Sequence, residues 1–350
     1  MPPACRRNHL THRRHALVLY LVTTQAPRMQ WMDFLRGLAV LLVVVLHANS
    51  QNIAGASVEW WAEVNRYLTP FRMPLLMFMS GMLLHRSLAK PLPLYVWGKA
   101  AAIAWPLLVW LCLYGFFVRG GIGVPNLLEW QFHRDYLWFL MSLLLCYSAA
   151  TAFKPLVTRF PSGHVWAYLG LFLAMIGTYV STTAVHGGLM GSTFWYGAFF
   201  FLGAWATPHV DRWIQVHWAV ILPLATGVAF LAHLGVDDRS LRIGSAAAAA
   251  ISVTGIFVVI WLAPRLRRGG AVQFVEWCGR SSVVVYVAHF PIIVLLRDHI
   301  FSAVGLTAGL QVFLMTLISL FLTVLLVWAR PWTPWLYVMP QHQRVAAKLR

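Results

Sequence analysis

Charged side chains are scarce in this sequence, and acidic ones are the scarcest. Only 11% of the 350 residues are charged and only 10 are Asp or Glu, whereas 60% are hydrophobic. A soluble globule of this length needs much more polar surface. The scarcity of charge therefore excludes a soluble protein and predicts that most of the chain lies in a membrane.

Cysteine is also rare, with four residues in the chain. Cys112 and Cys146 lie inside apolar runs, Cys5 lies near the N-terminus, and Cys278 lies in a short polar stretch. They form no Cys-x-x-Cys pair and share no ligand spacing with a histidine. We therefore predict no disulfide and no metal site.

Lysine and arginine far outnumber the acids and give a net charge of +17. They do not cluster with aromatic side chains in a polar domain, so we predict no nucleic-acid partner. Most of them lie in alternate segments between the apolar runs, whereas most acids lie in the other segments. The positive-inside rule then assigns both termini to the cytoplasm, with the segments around 54–66, 119–134 and 236–243 outside.

Apolar runs of about 20 residues, the length that crosses a bilayer, follow one another along the chain. They cover residues 33–52, 67–86, 99–118, 136–153, 165–182, 194–209, 217–235, 244–263, 281–300 and 307–329. No stretch outside them is long enough to bury a core of its own. We predict an all-α integral membrane protein, a bundle of about ten transmembrane helices in a single domain at 31–335. Basic cytoplasmic tails precede it at 1–30 and follow it at 336–350, and either Met1 or Met29 is the true start.

The first run, DFLRGLAVLLVVVLHANS, carries three ionisable side chains, Asp33, Arg36 and His47, although such groups are costly inside a membrane. On a helix, Arg36 and His47 lie within roughly 20° of the same face and about 16 Å apart. An arginine can hold a phosphate group, and a histidine deeper in the membrane can act as a general base on a hydroxyl. An equally open alternative is that Arg36 snorkels to the interface beside Asp33 and that His47 bonds a neighbouring helix.

Two further runs carry polar side chains. In FRMPLLMFMSGMLL, Arg72 is either a substrate contact, a partner of an acid on the outer side, or a snorkelling interfacial arginine. In CGRSSVVVYVAHFPI, the side chains of Ser282, Tyr286 and His289 recur about one helical turn apart on one face. They either line a polar cavity or bond neighbouring helices, and His289 and Tyr286 are candidates to orient the His47 imidazole.

These residues occur in motifs that resemble the acyltransferase-3 family of bacterial polytopic membrane acyltransferases. The motifs are D-x-x-R-G-x-A and R-x10-H in the first run, F-R-M-P-x-x-x-F-x-S-G in the second, L-W-F-L in mid-chain and S-x-x-x-Y-x-x-H-x-P in the ninth. The resemblance covers about residues 30–335. It implies a multi-pass protein of the bacterial inner membrane that moves an acyl group, with acetyl favoured, from cytoplasmic acyl-CoA to a hydroxyl of a sugar or cell-envelope glycan. Acyl-CoA is then a donor substrate, and no permanently bound cofactor is expected.

The resemblance also implies roles for single residues. His47 is similar to the family's catalytic histidine, Arg36 to its donor-side arginine, and Asp33 to the acid that precedes that arginine. Where the family often has an R-x-x-R stretch before a proline, this chain has GKAAAIAWP, in which Lys99 is the one basic residue and so the candidate donor contact that the resemblance implies.

A transporter or flippase for an envelope precursor is the alternative function, because transporters also use many spans, broken helices and buried charges. Transporters commonly contain two similar halves, whereas the charges of the first run have no counterpart in the sixth to tenth runs. A membrane scaffold, in which the polar residues only join helices, is a third possibility. The motifs do not identify the acceptor or the length of the acyl chain.

Overall fold

The computed structural model describes residues 29–51, 58–118, 136–159 and 164–349. Within these ranges every regular element is a helix and no strand is present, which confirms the all-α class. Trp31–Arg350 form one compact unit. Most of the predicted N-terminal tail and the predicted outer segment at 119–134 lie outside the described residues.

Helices follow one another closely along the described chain. The first are α1 (Gln30–Ser50), α2 (Glu59–Tyr67), α3 (Arg72–Gly81), α4 (Leu84–Leu88), α5 (Leu92–Lys99) and α6 (Trp105–Phe117). The next are α7 (Trp138–Ala152), α8 (Lys154–Arg159), α9 (His164–Ser181), α10 (Gly188–Ala206), α11 (Val210–Ile214) and α12 (Trp218–Leu234). The last are α13 (Ala246–Leu262), α14 (Gly270–Arg280), α15 (Ser282–His299), α16 (Ala308–Ala329) and α17 (His342–Lys348). Short 3₁₀ turns occupy Thr183–Val185, Thr207–His209, Arg239–Leu241, Ala263–Arg265, Phe301–Ala303 and Pro334–Leu336.

Several of these helices are long and apolar enough to cross a membrane. Five such stretches occur among the described residues: Gln30–Ser50, Leu92–Phe117, Ala246–Arg265, Ser282–Ala303 and Ala308–Ala329. Each of the ten predicted runs falls on at least one helix, but α7, α9 and α12 are shorter apolar helices. The number ten and the cytoplasmic side of the termini stay predictions.

The outer faces of α12 and α16 are apolar. Phe230, Phe313, Phe321 and Trp328 are each more than half exposed on these two helices. An apolar surface of this kind is unfavourable in water but is the normal surface of a helix that faces lipid. The chain is therefore a multi-pass membrane protein.

Helix α10 lies in the centre of the bundle, with most of its residues buried, and it crosses α3 at very short range. A Cβ atom added to Gly81 would lie 1.8 Å from the carbonyl oxygen of Phe200, and one added to Gly203 would lie 2.1 Å from that of Phe78. Small residues at such a crossing let two backbones approach closely. The pair of glycines therefore fixes the position of α3, whose first residue is Arg72.

A second close crossing holds the N-terminal half of α1 against α14. A Cβ atom on Gly37 would lie 1.9 Å from the carbonyl oxygen of Val275, and one on Gly279 would lie 1.7 Å from that of Asp33. Because only glycine leaves room for two backbones at this distance, this crossing packs the turn of α1 that carries Asp33 and Arg36 directly against α14.

A π-helical turn, Ala100–Ala104, joins α5 to α6 directly before Pro106. A proline nitrogen has no hydrogen to donate to the preceding turn, so the regular hydrogen-bond ladder is interrupted there. Single π turns inside helices often occur at functional sites. Here the turn directly follows Lys99.

The segment predicted as the C-terminal tail, 336–350, has defined structure up to residue 349 and packs on the π turn. The Met339 amide donates to the carbonyl oxygen of Ala101 at 3.2 Å, and the indole of Trp97 donates to that of His342 at 3.2 Å. These contacts hold the end of the chain beside the start of the α5–α6 helix.

Candidate active site

His47 lies at one end of α1 in a cavity of about 520 Å³. The cavity is formed where the end of α1, the start of α3, the start of α7 and the middle of α15 meet. It is lined by Val43, Leu46, His47, Ser50, Gln51, Thr69, Arg72, Met73, Tyr136, Trp138, Tyr196, Ile243, Tyr286 and Phe290. Most of the lining is apolar or aromatic, with a few convergent polar groups, which is the usual composition of a small-molecule site.

The His47 imidazole contacts two side chains of α15. Its ring centroid lies 5.3 Å from that of His289 and 5.0 Å from that of Phe290, which meets it edge-on. Helices α1 and α15 are therefore neighbours. His289 lies directly beside the His47 ring, and Tyr286 lines the same cavity.

His289 is fully buried and its hydrogen bonds identify its tautomer. Its Nδ1 lies 2.7 Å from the carbonyl oxygen of Tyr286 and 3.1 Å from that of Val285. Both oxygens accept, so Nδ1 carries the hydrogen in the neutral ring and Nε2 is left as an acceptor. Nε2 is buried and has no hydrogen-bond partner among the described residues. In this structure Nε2 makes no hydrogen bond to the His47 ring, whose centroid lies 5.3 Å from that of His289.

Arg36 lies at the other end of α1 and lines a second, smaller cavity of about 190 Å³. Its guanidinium donates to the carbonyl oxygen of Met79 at 2.9 Å. The cavity is lined by Arg36, Val40, Leu76, Ser80, Leu83, Ala102, Ile103, Phe139, Leu140, Leu143, Tyr147, Ser282, Val283 and Tyr286. Two of these residues, Ala102 and Ile103, belong to the π turn. Ser282 also lines the Arg36 cavity, and it does not line the His47 cavity.

Tyr286 lines both cavities and forms part of the wall between them. Its hydroxyl donates to the carbonyl oxygen of Tyr136 at 2.6 Å and accepts from the Phe139 amide at 3.3 Å. These two bonds attach α15 to the first turn of α7. Because Arg36 and His47 are separated by about 16 Å along α1, the two cavities follow one another along that helix.

Lys99 does not line either cavity. Its ammonium lies 3.4 Å from the ring centroid of Tyr147 and donates to the hydroxyl of Ser87 at 3.0 Å. Tyr147 itself lines the Arg36 cavity and donates to the carbonyl oxygen of Ser80 at 3.0 Å. Lys99 thus approaches the donor-side cavity through Tyr147, by a cation–π contact rather than directly.

Asp33 is buried, and its backbone forms the close crossing with Gly279. It lines neither the His47 cavity nor the Arg36 cavity. Its position one turn before Arg36 is consistent with the predicted polar face, but a ligand in the Arg36 cavity would contact Arg36 and not Asp33.

Arg72 begins α3 and is almost completely buried, with 5% of its surface exposed. One terminal nitrogen donates to Oδ1 of Asn65 at 2.6 Å, and the other donates to the backbone oxygen of the same residue at 3.0 Å. Since Arg72 lines the cavity that contains His47, its cation is part of that site.

Several aromatic residues of the site were not identified from the sequence. Tyr136, Trp138 and Tyr196 line the His47 cavity, and Tyr136 stacks on Phe290 with ring centroids 5.2 Å apart. In the sequence, Tyr136 and Trp138 have the pattern of interfacial anchors. Both are buried in the structure. The L-W-F-L motif that surrounds Trp138 was the available signal.

Among the described residues, no group of three or more His, Cys, Asp or Glu could hold a metal ion.

The fold and the site define a class of protein, a helical membrane protein with one cavity at a histidine and another at an arginine along the same helix. The family model Acyl_transf_3, described as an acyltransferase domain, matches residues 29–329. The chain belongs to this family and is a membrane acyltransferase. No curated protein and no solved structure matches it significantly.

Proposed function

We propose that this protein is an O-acyltransferase of the bacterial inner membrane that moves an acyl group, with acetyl favoured, from cytoplasmic acyl-CoA to a hydroxyl of a sugar or envelope glycan. The observation that carries the proposal is the pair of cavities that meet at Tyr286, with Arg36 in one and His47 in the other. The ten-span topology with both termini in the cytoplasm belongs to the same proposal, because it puts Arg36 on the donor side.

The donor enters from the Arg36 end. A guanidinium is always charged and binds phosphate through two parallel hydrogen bonds, and Arg36 is the cation that lines this cavity. The remainder of the cavity wall is mostly apolar, which suits the uncharged arm that connects the phosphates of CoA to its sulfur. A donor held at Arg36 would extend toward Tyr286 and present its thioester near His47.

His47 acts as the general base on the acceptor. The neutral imidazole takes the proton of the acceptor hydroxyl as that oxygen attacks the carbonyl carbon of the thioester. The carbon–sulfur bond then breaks, and the thiol of CoA leaves with the proton that the imidazole returns. His289 is a positioning residue, since its Nε2 can accept the N–H of His47 and leave the other His47 nitrogen free to act as the base.

The acceptor binds between aromatic rings. Sugars present flat patches of C–H groups that pack well on aromatic faces, and Trp138 and Tyr196 lie side by side in this wall with ring centroids 5.0 Å apart. The hydroxyls of Ser50 and Thr69 and the amide of Gln51 supply hydrogen-bonding groups for the hydroxyls of a sugar.

The test is transfer of a radiolabelled acetyl group from acetyl-CoA to a panel of soluble sugars by purified protein in vesicles. We expect labelled ester with the wild type and none with His47→Gln, while acetyl-CoA binding is retained because its phosphates bind about 16 Å away. If an unmodified sugar crossed the vesicle membrane and no ester formed, the alternative function as a transporter would be favoured. Near-normal turnover of His47→Gln would remove the proposed base.

A further inference from the structure

Arg72 is a buried cation without a carboxylate partner among the described residues. Its two hydrogen bonds both go to Asn65, an uncharged residue. Burying a charge without an opposite charge is unfavourable, and an arginine cannot relieve the cost by losing its proton. The fold therefore retains a positive charge here at a cost in stability.

The charge is directed to the site of acyl transfer. Arg72 lines the His47 cavity, and none of the described residues that line it is Asp or Glu. Asn65 occupies one side of the guanidinium with two acceptors, which fixes the orientation of the planar group. A guanidinium has five N–H donors, so Asn65 leaves donors for a ligand.

A second arginine adds positive charge near the same cavity. Arg297 donates to the side-chain oxygen of Gln51, which lines the cavity, and it also forms an ion pair with Asp298. Since Arg297 is already paired, Arg72 is the better candidate to bind an anion directly.

From these observations we propose that the acceptor is an acidic sugar, whose carboxylate or phosphate group is bound by Arg72 while a hydroxyl of the same sugar faces His47. The proposal rests on the acyltransferase function above and specifies the class of its acceptor. Arg72 would then supply the charge that selects the acceptor, and His47 the base.

The experiment compares sugars that differ only at carbon 6. Methyl glycosides of gluco, galacto and manno configuration are offered as the hexose, the hexuronic acid and the hexose 6-phosphate, with acetyl-CoA as donor. We expect the wild type to acetylate an acidic member with kcat/KM at least roughly tenfold above its neutral counterpart. Comparison of kcat/KM for the hexuronic acids with that for the hexose 6-phosphates shows whether a carboxylate or a phosphate is preferred.

Two variants test whether Arg72 causes this preference. Arg72→Gln removes the charge, and Asn65→Asp keeps Arg72 in place but neutralises it, at the cost of the bond from Asn65 to the Trp61 carbonyl oxygen. We expect either change to lower the acidic-to-neutral ratio of kcat/KM by roughly 10- to 100-fold. Arg239→Gln, which removes an exposed charge in a loop of the predicted outer side, is the control that should leave the ratio unchanged.

The outcomes separate the two proposals. Equal use of neutral and acidic sugars by the wild type would overturn the acidic acceptor while leaving acyl transfer intact. An equal loss with both kinds of sugar in Arg72→Gln and Asn65→Asp would assign Arg72 to the transition state or the fold instead. No transfer to any of the nine sugars would contradict the proposed sugar acyltransferase itself.

Discussion

The glycine contact between α3 and α10 leads to a quantitative prediction for Gly81→Ala. The new methyl carbon would lie 1.8 Å from the carbonyl oxygen of Phe200, whereas real Cβ atoms essentially never come closer than 3.0 Å. The two helices must therefore separate by roughly 1 Å at this point. Because α3 carries Arg72 and α10 carries Tyr196, the separation moves two walls of the His47 cavity.

The expected size of the effect follows from this displacement. Overpacking of a well-packed contact costs about 1–3 kcal/mol of stability. Misplacement of catalytic groups by 1 Å can lower the rate by about 100-fold. We therefore expect Gly81→Ala to lower the melting temperature of the detergent-solubilised protein by several degrees and its acetyl-transfer rate by about two orders of magnitude. Thermal unfolding and radiolabelled transfer, measured on the same preparation, check both values.

Gly170→Ala is the matched control. Gly170 also lies within a helix, but a Cβ atom there would have no neighbour within 4 Å. The control should be neutral or stabilising by up to about 1 kcal/mol, because alanine favours helix more than glycine does. If Gly81→Ala and Gly170→Ala gave the same melting temperature and the same rate, the close crossing would not position the site.

Three other predictions follow from the site and the proposed topology. Arg36→Lys should weaken acetyl-CoA binding by about tenfold in equilibrium binding, because lysine lacks the planar fork, whereas Arg212→Lys on an exposed side chain should not change it. Transfer should fall when the acceptor side is acidified far enough to protonate His47, because only the neutral imidazole accepts a proton; transfer rates measured as the outer pH is lowered check this, and faster transfer at lower pH would contradict a neutral base. Cysteines placed at the exposed positions Glu63 and Asp237 should react with an impermeant maleimide from outside, and one at Gln343 only from the cytoplasm; the reverse pattern would overturn the orientation.

The native thiols permit the labelling experiment with little change. Cys146 and Cys278 are buried, and burial raises the pKa of the Cys278 thiol to about 11, so little reactive thiolate is present at neutral pH. Cys112 is exposed on a membrane helix and is replaced by alanine as a precaution, as is Cys5, which lies outside the described residues. Asn65 is unsuitable for labelling, because it is buried against Arg72.

The polar faces of single helices could be predicted because a helix has a fixed period. Arg36 and His47 share a face of α1, and the three polar residues of α15 follow one another along one side, as their spacing requires. The structure assigns Ser282 to the Arg36 cavity and His289 to the His47 ring, with Tyr286 between them. The approach of α15 to α1 depends on tertiary packing. The spacing of residues within one helix does not show which other helix packs against it.

Other parts of the site depend on contacts that a linear pattern cannot express. A tryptophan at the start of an apolar run reads as an interfacial anchor whether it faces lipid or a cavity, so the role of Trp138 was missed. The pairing of Arg72 with Asn65 joins two helices across a turn, and hydrophobic periodicity does not predict it. The sequence also does not show that Lys99, the candidate donor contact, lies against Tyr147, which itself lines the Arg36 cavity. The number of spans is similarly hard to predict, since apolar runs of similar length become helices of very different length.

The wall at Tyr286 has a consequence for the membrane itself. A bundle with polar cavities on a membrane-crossing helix risks conducting ions, and a leak would dissipate the ion gradients on which the cell depends. Tyr286 is held by the Tyr136 carbonyl oxygen and the Phe139 amide, and its ring forms part of the wall between the two cavities. In the proposed reaction the substrates would fill the space beside this ring. A tyrosine held in this way would keep the water of the two cavities apart and so limit the passage of ions through the bundle.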